Sequence, residues 1–105
     1  MRYEIVLAPT AAAALRDLGA RTRAEVDDAI EAHLRFEPAK VSKSRIKRLR
    51  GLSRPQYRLR VGEIRVFYDV AAAEVQVLAI ITKAEAAAWL QAEGATDESG
   101  GAGES

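Results

Sequence analysis

The segment from Tyr57 to Tyr68, YRLRVGEIRVFY, constrains the fold more than any other part of the chain. Residues alternate in character on both sides of Gly62-Glu63, a dipeptide that fits a two-residue hairpin turn with glycine in the first central position. The turn fixes the register of two antiparallel strands and pairs Arg60 with Arg65. Because side chains in a strand alternate between faces, one face should carry the residues suited to a core: Tyr57, Leu59, Val61, Ile64, Val66 and Tyr68.

The other face of this hairpin carries Arg58, Arg60, Arg65 and Phe67. Like charges directly opposite each other destabilise a sheet by roughly 0.2–1 kcal/mol, and no acidic residue of the hairpin shares this face. Guanidinium groups match the geometry of phosphates, and an aromatic ring beside them can stack on an unpaired base. The pattern therefore predicts a surface that binds a polyanion; a merely solvated basic face is the alternative.

Positive charge is concentrated around this hairpin, although the net charge of the chain is only +1. Ten lysines and arginines fall between Lys40 and Arg65, against one acid, Glu63. Each phosphate that they contact on a duplex would steepen the slope of log affinity against log salt concentration by about 0.9, and each contact on a single strand would steepen it by less. Besides the hairpin, the residues of this region that we predict to bind the polyanion are Lys43, Arg45, Lys47, Arg48 and Arg50.

The order of the predicted elements indicates an α+β fold. An N-terminal strand at 3–7 precedes a pair of helices, one from Pro9 to Gly19 and one at about 22–36. Strands then follow at 46–49, 56–61, 64–70 and 75–81, with turns at 50–55 and 71–74. A short helix at 83–91 closes the fold. We expect one domain over residues 1–93, with the helix pair on one face of a mostly antiparallel meander, and a disordered tail over residues 94–105.

Composition excludes several classes of site. The chain has no cysteine, which rules out disulfides, thiol catalysis and thiolate metal sites. Its single histidine, His33, cannot form a paired-histidine site, so neither a metal nor another cofactor is predicted. No stretch approaches the roughly 20 apolar residues that span a bilayer, and we expect a soluble, cytoplasmic protein that does not bind membranes.

A strand and two helices followed by KRLRGL, YRLRVGEIRVFYDV and VQVLAIITK resemble the RelE/ParE superfamily of bacterial toxins, over roughly residues 2–92. The resemblance implies a toxin of a toxin–antitoxin module with a cognate antitoxin as partner, and a possible heterotetramer with it. RelE-type members cleave messenger RNA in the decoding site of the ribosome and so arrest translation. ParE-type members share the fold but inhibit DNA gyrase. The RelE-like branch is favoured here.

The resemblance also implies a catalytic set. Arg58 and Arg60 match the basic hairpin positions, Arg65 matches the arginine after the turn, and Lys83 matches the basic residue after the last strand. Trp89 stands where RelE-type toxins have an aromatic hydroxyl, so it can stack on a base but cannot transfer a proton. Lys83 is then the one matched residue that could act as a base. Three hypotheses follow: a ribosome-dependent mRNA endonuclease, a gyrase inhibitor, or a non-catalytic RNA-binding relative.

Overall fold

The computed structural model describes residues 1–96 and has the predicted α+β architecture. Its elements, in chain order, are β1 (Glu4–Leu7), α1 (Pro9–Asp17), α2 (Ala20–Leu34), β2 (Ile46–Arg48), β3 (Leu52–Arg54), β4 (Tyr57–Val61), β5 (Ile64–Ala71), β6 (Glu74–Thr82), α3 (Lys83–Glu93) and β7 (Ala95–Thr96). Among these residues, no helix combines the length and the hydropathy that crossing a membrane requires.

Five strands form one sheet in the order β1-β6-β5-β4-β2. β1 pairs parallel with β6, and the other neighbours are antiparallel. The register predicted for the β4–β5 hairpin is confirmed at all five pairs, from Tyr57 opposite Tyr68 to Val61 opposite Ile64. Gly62 has a φ of +58°, the left-handed conformation that glycine adopts without steric cost and that this turn requires in its first central position.

The core lies between the sheet and the pair of helices α1 and α2. The hairpin face that was predicted to be buried supplies Leu59, Val66 and Tyr68, each with 0% of its surface exposed. The Tyr68 hydroxyl donates a hydrogen bond of 2.6 Å to the Pro38 carbonyl, and burial raises the pKa of Tyr68 well above its usual value. The assignment of this face to the core is confirmed. We call the opposite side of the sheet the outer face.

A second, two-stranded sheet makes the fold differ from the prediction in two places. The segment 50–55 was predicted to be only a turn, but it contains β3, which pairs with β7 in a separate two-stranded sheet. The expected tail begins at Gly94, yet Ala95 and Thr96 belong to this small sheet, because the Ser53 hydroxyl and the backbone of β3 bind them. The rest of the expected tail, 97–105, lies outside the described residues.

Candidate functional site

Three arginines of the hairpin lie on the outer face: Arg58, Arg60 and Arg65. We call them the arginine cluster. The Arg60 N–H donates to the Arg45 carbonyl at 2.9 Å, so the backbone groups of Arg60 point toward β2 and away from β5. Arg60 and Arg65 are therefore a non-hydrogen-bonded pair. In antiparallel sheets this type of pair has the shorter separation, about 4.5 Å between Cα atoms. Within residues 1–96 none of the three forms an ion pair. The cluster therefore keeps its positive charge unneutralised.

Arg58 is the member with an unsatisfied donor. Its side chain is half-buried, and its Nε is buried without a hydrogen-bond partner in the described part of the chain. Burial lowers the pKa of Arg58, and the charges of Arg65 and Arg60 lower it further. A buried donor without a partner costs about 1–3 kcal/mol. An anion bound at the cluster would relieve the repulsion among the three guanidinium groups.

Arg65 is held rigidly by the hairpin turn. Only 7% of its surface is exposed, and its Nη1 donates to the Gly62 carbonyl at 2.7 Å and to the Ile64 carbonyl at 3.1 Å. Those hydrogen bonds use one terminal nitrogen, so the other two guanidinium nitrogens are not engaged by the described residues. Arg65 is thus a preorganised donor, whereas the Arg60 side chain is exposed.

Lys83, distant in sequence, is placed beside the hairpin turn. Its backbone N–H donates to the Glu63 carbonyl at 2.7 Å, which fixes the first turn of α3 against the hairpin. Thr82 caps this helix: its hydroxyl accepts from the Glu85 N–H at 3.3 Å while the Glu85 carboxylate accepts from the Thr82 N–H at 3.1 Å. The exposed Lys83 side chain therefore starts from the edge of the arginine cluster.

Phe67 does not offer an open aromatic surface, and the expectation that it lies exposed among the guanidinium groups is wrong. Only 1% of its surface is exposed, because α3 crosses the outer face and stacks Trp89 on it, with ring centroids 5.2 Å apart and an interplanar angle of 15°. Trp89 is itself half-buried. Trp89 therefore anchors α3 to the sheet, and its own outer edge is the aromatic surface that remains.

The basic residues before the hairpin do not all reach the outer face. Lys47 pairs with Arg58 and shares that face, whereas Arg48 pairs with Tyr57 and points to the other side. The Arg48 guanidinium lies 5.2 Å from the centroid of the Tyr57 ring and donates to the Gln56 carbonyl at 2.9 Å. The role of Arg48 in RNA binding stays a prediction, and its side chain starts from the face opposite the arginine cluster.

The remaining basic residues of this region lie in or near loops. Arg45 donates to the Arg60 carbonyl at 3.5 Å and is exposed beside it, while Lys43 and Arg50 are exposed at either end of β2. Within residues 1–96 no group of three or more metal-ligating side chains lies together. The chemistry available at the site is cationic, with one lysine.

A family model described as the ParE toxin of the type II toxin–antitoxin system parDE matches residues 5–87. A search of curated proteins gave no match. Solved structures that resemble the chain include the archaeal RelE–RelB complex of Pyrococcus horikoshii (TM-score 0.65, 23% identity, covering 79% of this chain and 97% of that one). The RelBE2 toxin–antitoxin complex of Mycobacterium tuberculosis gives a TM-score of 0.60 at 25% identity, covering 78% and 99%. The YoeB dimer of Staphylococcus aureus gives 0.56 at 16% identity, covering 77% and 97%.

Proposed function

Because this chain belongs to the ParE toxin family of type II toxin–antitoxin systems, in the RelE/ParE superfamily, we propose that it is a toxin that cleaves messenger RNA on the ribosome. The observation that supports this most is the arginine cluster: three guanidinium groups without a neutralising acid, one of them with a buried unsatisfied Nε. Guanidinium groups match the geometry of phosphate oxygens, so the phosphate of an RNA backbone fits this site.

The proposed reaction is attack of a ribose 2′-oxygen on the adjacent phosphorus, which breaks the bond from phosphorus to the 5′-oxygen. Lys83 takes the 2′-hydroxyl proton, since an arginine stays protonated and is a poor base. Arg58, Arg60 and Arg65 stabilise the negative charge that develops on the phosphate oxygens. The leaving 5′-oxygen takes its proton from water, because Trp89 carries only an N–H where an acidic hydroxyl would serve.

The RNA path that we propose runs from the arginine cluster along β2. Lys47 and Arg45 continue the positive charge there, and Lys43 and Arg50 at the ends of β2 stay predicted contacts. Trp89 stacks on a base through the ring face turned away from Phe67, and Phe67 is the support beneath it rather than a contact. Arg48 stays a predicted RNA contact that starts from the face opposite the arginine cluster.

We further propose an antitoxin protein as the partner that silences the toxin. The Pyrococcus horikoshii and Mycobacterium tuberculosis structures that resemble this chain are toxin–antitoxin complexes. An antitoxin that covers the arginine cluster would need acidic side chains to pair with it. A heterotetramer of two toxins and two antitoxins is the assembly we expect.

Cleavage in a translating extract tests the proposal. Arg60→Gln should reduce mRNA cleavage by about 100-fold, the effect typical of removing one donor to a developing oxyanion. Arg21→Gln, at an exposed position on α2, is the matched control and should cleave like the wild type. Intact messages in the presence of wild-type protein at doses that stop growth would contradict the endonuclease function.

Gyrase inhibition is the second candidate function. Trp89 in place of an aromatic hydroxyl leaves the acid–base set incomplete, and the family model that matches the chain is that of ParE toxins. A supercoiling assay with purified gyrase separates the two, because a messenger RNA endonuclease should leave supercoiling unchanged. A non-catalytic RNA-binding relative would be expressed stably without growth arrest.

A further inference from the structure

A groove of about 500 Å³ runs along the C-terminal half of β6. Its walls come from α1 and α3, and its floor comes from β6. The residues that matter for its chemistry are Thr10 on α1, Leu78 and Ile81 on β6, and Trp89 and Glu93 on α3. The groove is open to solvent, and its lining combines apolar and polar side chains.

The groove exists because β1 is shorter than β6. β1 pairs with β6 from Glu74 to Val77, and the last link is the Ala8 N–H, which donates to the Val77 carbonyl at 2.8 Å. Pro9 then begins α1 and carries the chain off the sheet. From Leu78 onward, β6 therefore has a neighbouring strand on the β5 side alone.

The free side of β6 presents backbone groups to this groove. Arg65 and Arg60 form a non-hydrogen-bonded pair, so the N–H and C=O of Arg65 point away from β4 and toward β6. On β6 the partner of Arg65 is Ile81, whose own backbone groups therefore point toward β5. Successive residues of a strand direct their N–H and C=O to alternate sides. The N–H and C=O of Ile80 therefore point away from β5, into the groove. Because the groove is open to solvent, this donor and acceptor are available to pair with an added strand.

We propose that the groove binds an extended segment of the antitoxin, which adds a short strand beside β6 and pairs with the backbone of Ile80. This inference rests on the antitoxin partnership proposed above. Strand addition uses main-chain hydrogen bonds for affinity and pockets for alternate side chains for specificity. Here the pocket lies between α1 and Trp89 and accepts an apolar side chain.

The charges of the groove favour a peptide over a nucleic acid. Its cation, Arg54, is already engaged by the Asp69 carboxylate, at 3.7 Å from Nε to Oδ2, and Glu93 adds a negative charge. A phosphate backbone would meet the Glu93 carboxylate and only one guanidinium, whose charge Asp69 already partly offsets. A peptide strand carries no backbone charge and matches the exposed N–H and C=O.

Hydrogen exchange of the full-length chain tests the proposal, with the chain free and in complex with its cognate antitoxin. The Ile80 amide should exchange faster than the Ile81 amide in the free chain and slow by about tenfold or more in the complex. Thr10→Lys places a charged side chain in the groove and should weaken the complex by about tenfold. Ala24→Lys, the same change of charge at an exposed position of α2, should leave affinity unchanged.

Three results would overturn the proposal, and they are distinguishable. A stable complex in which the Ile80 amide exchanges as fast as in the free chain would exclude the groove as the binding site while leaving the antitoxin partnership intact. Failure of the two proteins to form any complex would overturn the partnership and the groove together. Equal affinities of the Thr10→Lys and Ala24→Lys variants would also exclude the groove.

Discussion

Phe67 and Trp89 stack at 5.2 Å between ring centroids, and this contact fixes α3 across the outer face of the sheet. In the part of the chain that the structure describes, no residue of α3 is fully buried, so the helix has few other side-chain anchors. The same contact decides which aromatic surface is available beside the arginine cluster. Phe67 is closed off, and the outer edge of Trp89 takes its place.

Removal of the Trp89 ring should detach α3 and destabilise the protein. We expect Trp89→Ala to lower the free energy of unfolding by roughly 1–3 kcal/mol, less than for a fully buried aromatic residue because Trp89 is half-buried. Urea denaturation followed by far-UV circular dichroism measures this. Trp89→Phe keeps a stacked ring and should recover most of the loss; an unchanged midpoint for Trp89→Ala would show that the stack does not anchor the helix.

Replacement of Arg58 by an uncharged residue should stabilise the fold. Its Nε is buried without a partner, and Arg65 and Arg60 repel its charge. Arg58→Met keeps an unbranched side chain of similar reach and removes both costs, so we expect the free energy of unfolding to rise by about 1 kcal/mol. Under the proposed function, the same variant should lose most of its mRNA cleavage.

Arg21→Met provides the comparison for this experiment. Arg21 is exposed on α2, and its replacement should change the free energy of unfolding by no more than about 0.5 kcal/mol. Thermal and urea denaturation of both variants measure the difference. A loss of stability in Arg58→Met would mean that the methylene stem of Arg58 contributes more by packing than its charge costs.

The hairpin could be predicted from the sequence because its determinants are local. The turn at Gly62 sets the register, and the alternation of Arg58, Leu59 and Arg60 assigns the faces, so no distant contact is needed. The exposure of Phe67 could not be predicted in this way. Whether an outer-face residue is covered depends on where a helix that follows later in the chain comes to lie.

Two other differences have separate causes. Arg48 was grouped with its basic neighbours as a run of charge, although alternation from Ile46 in β2 already places it on the opposite face from Lys47. Grouping residues by charge alone ignores the alternation of side chains along a strand, which decides the face on which each one lies. The pairing of Leu52 with Thr96 joins segments far apart in sequence, and strands this short carry no pattern of their own.

Acid should weaken the capping of α3 through Glu85. Hydrogen bonds from the Thr82 backbone and side chain hold the pKa of the exposed Glu85 below its ordinary value of 4.5. A carboxyl whose pKa is lowered by folding stabilises the fold above its ordinary pKa, and that contribution is lost as the pH falls through the lowered value. An NMR titration should therefore show a Glu85 pKa below 4.5, with the Trp89 signals shifting in the same range.

Glu85→Gln is the control for this titration. Its amide keeps an oxygen that can accept from the Thr82 N–H and does not titrate, so the Trp89 signals should no longer respond to pH below 4.5. A pH response of the same size in this variant would assign the effect to another carboxyl group.

Lys47 and Arg48 are adjacent in β2 but lie on opposite faces, which makes them a matched pair for mapping the RNA-binding surface. Lys47→Ala should weaken binding to a short single-stranded RNA and reduce the slope of log affinity against log salt by about 0.7, the value for one phosphate contact on a single strand. Arg48→Ala should leave that slope unchanged, because its guanidinium is engaged by Tyr57 and the Gln56 carbonyl. Filter binding over a range of salt concentrations measures both. Equal losses in the two variants would mean that RNA is held by the positive charge of β2 as a whole and not by the outer face.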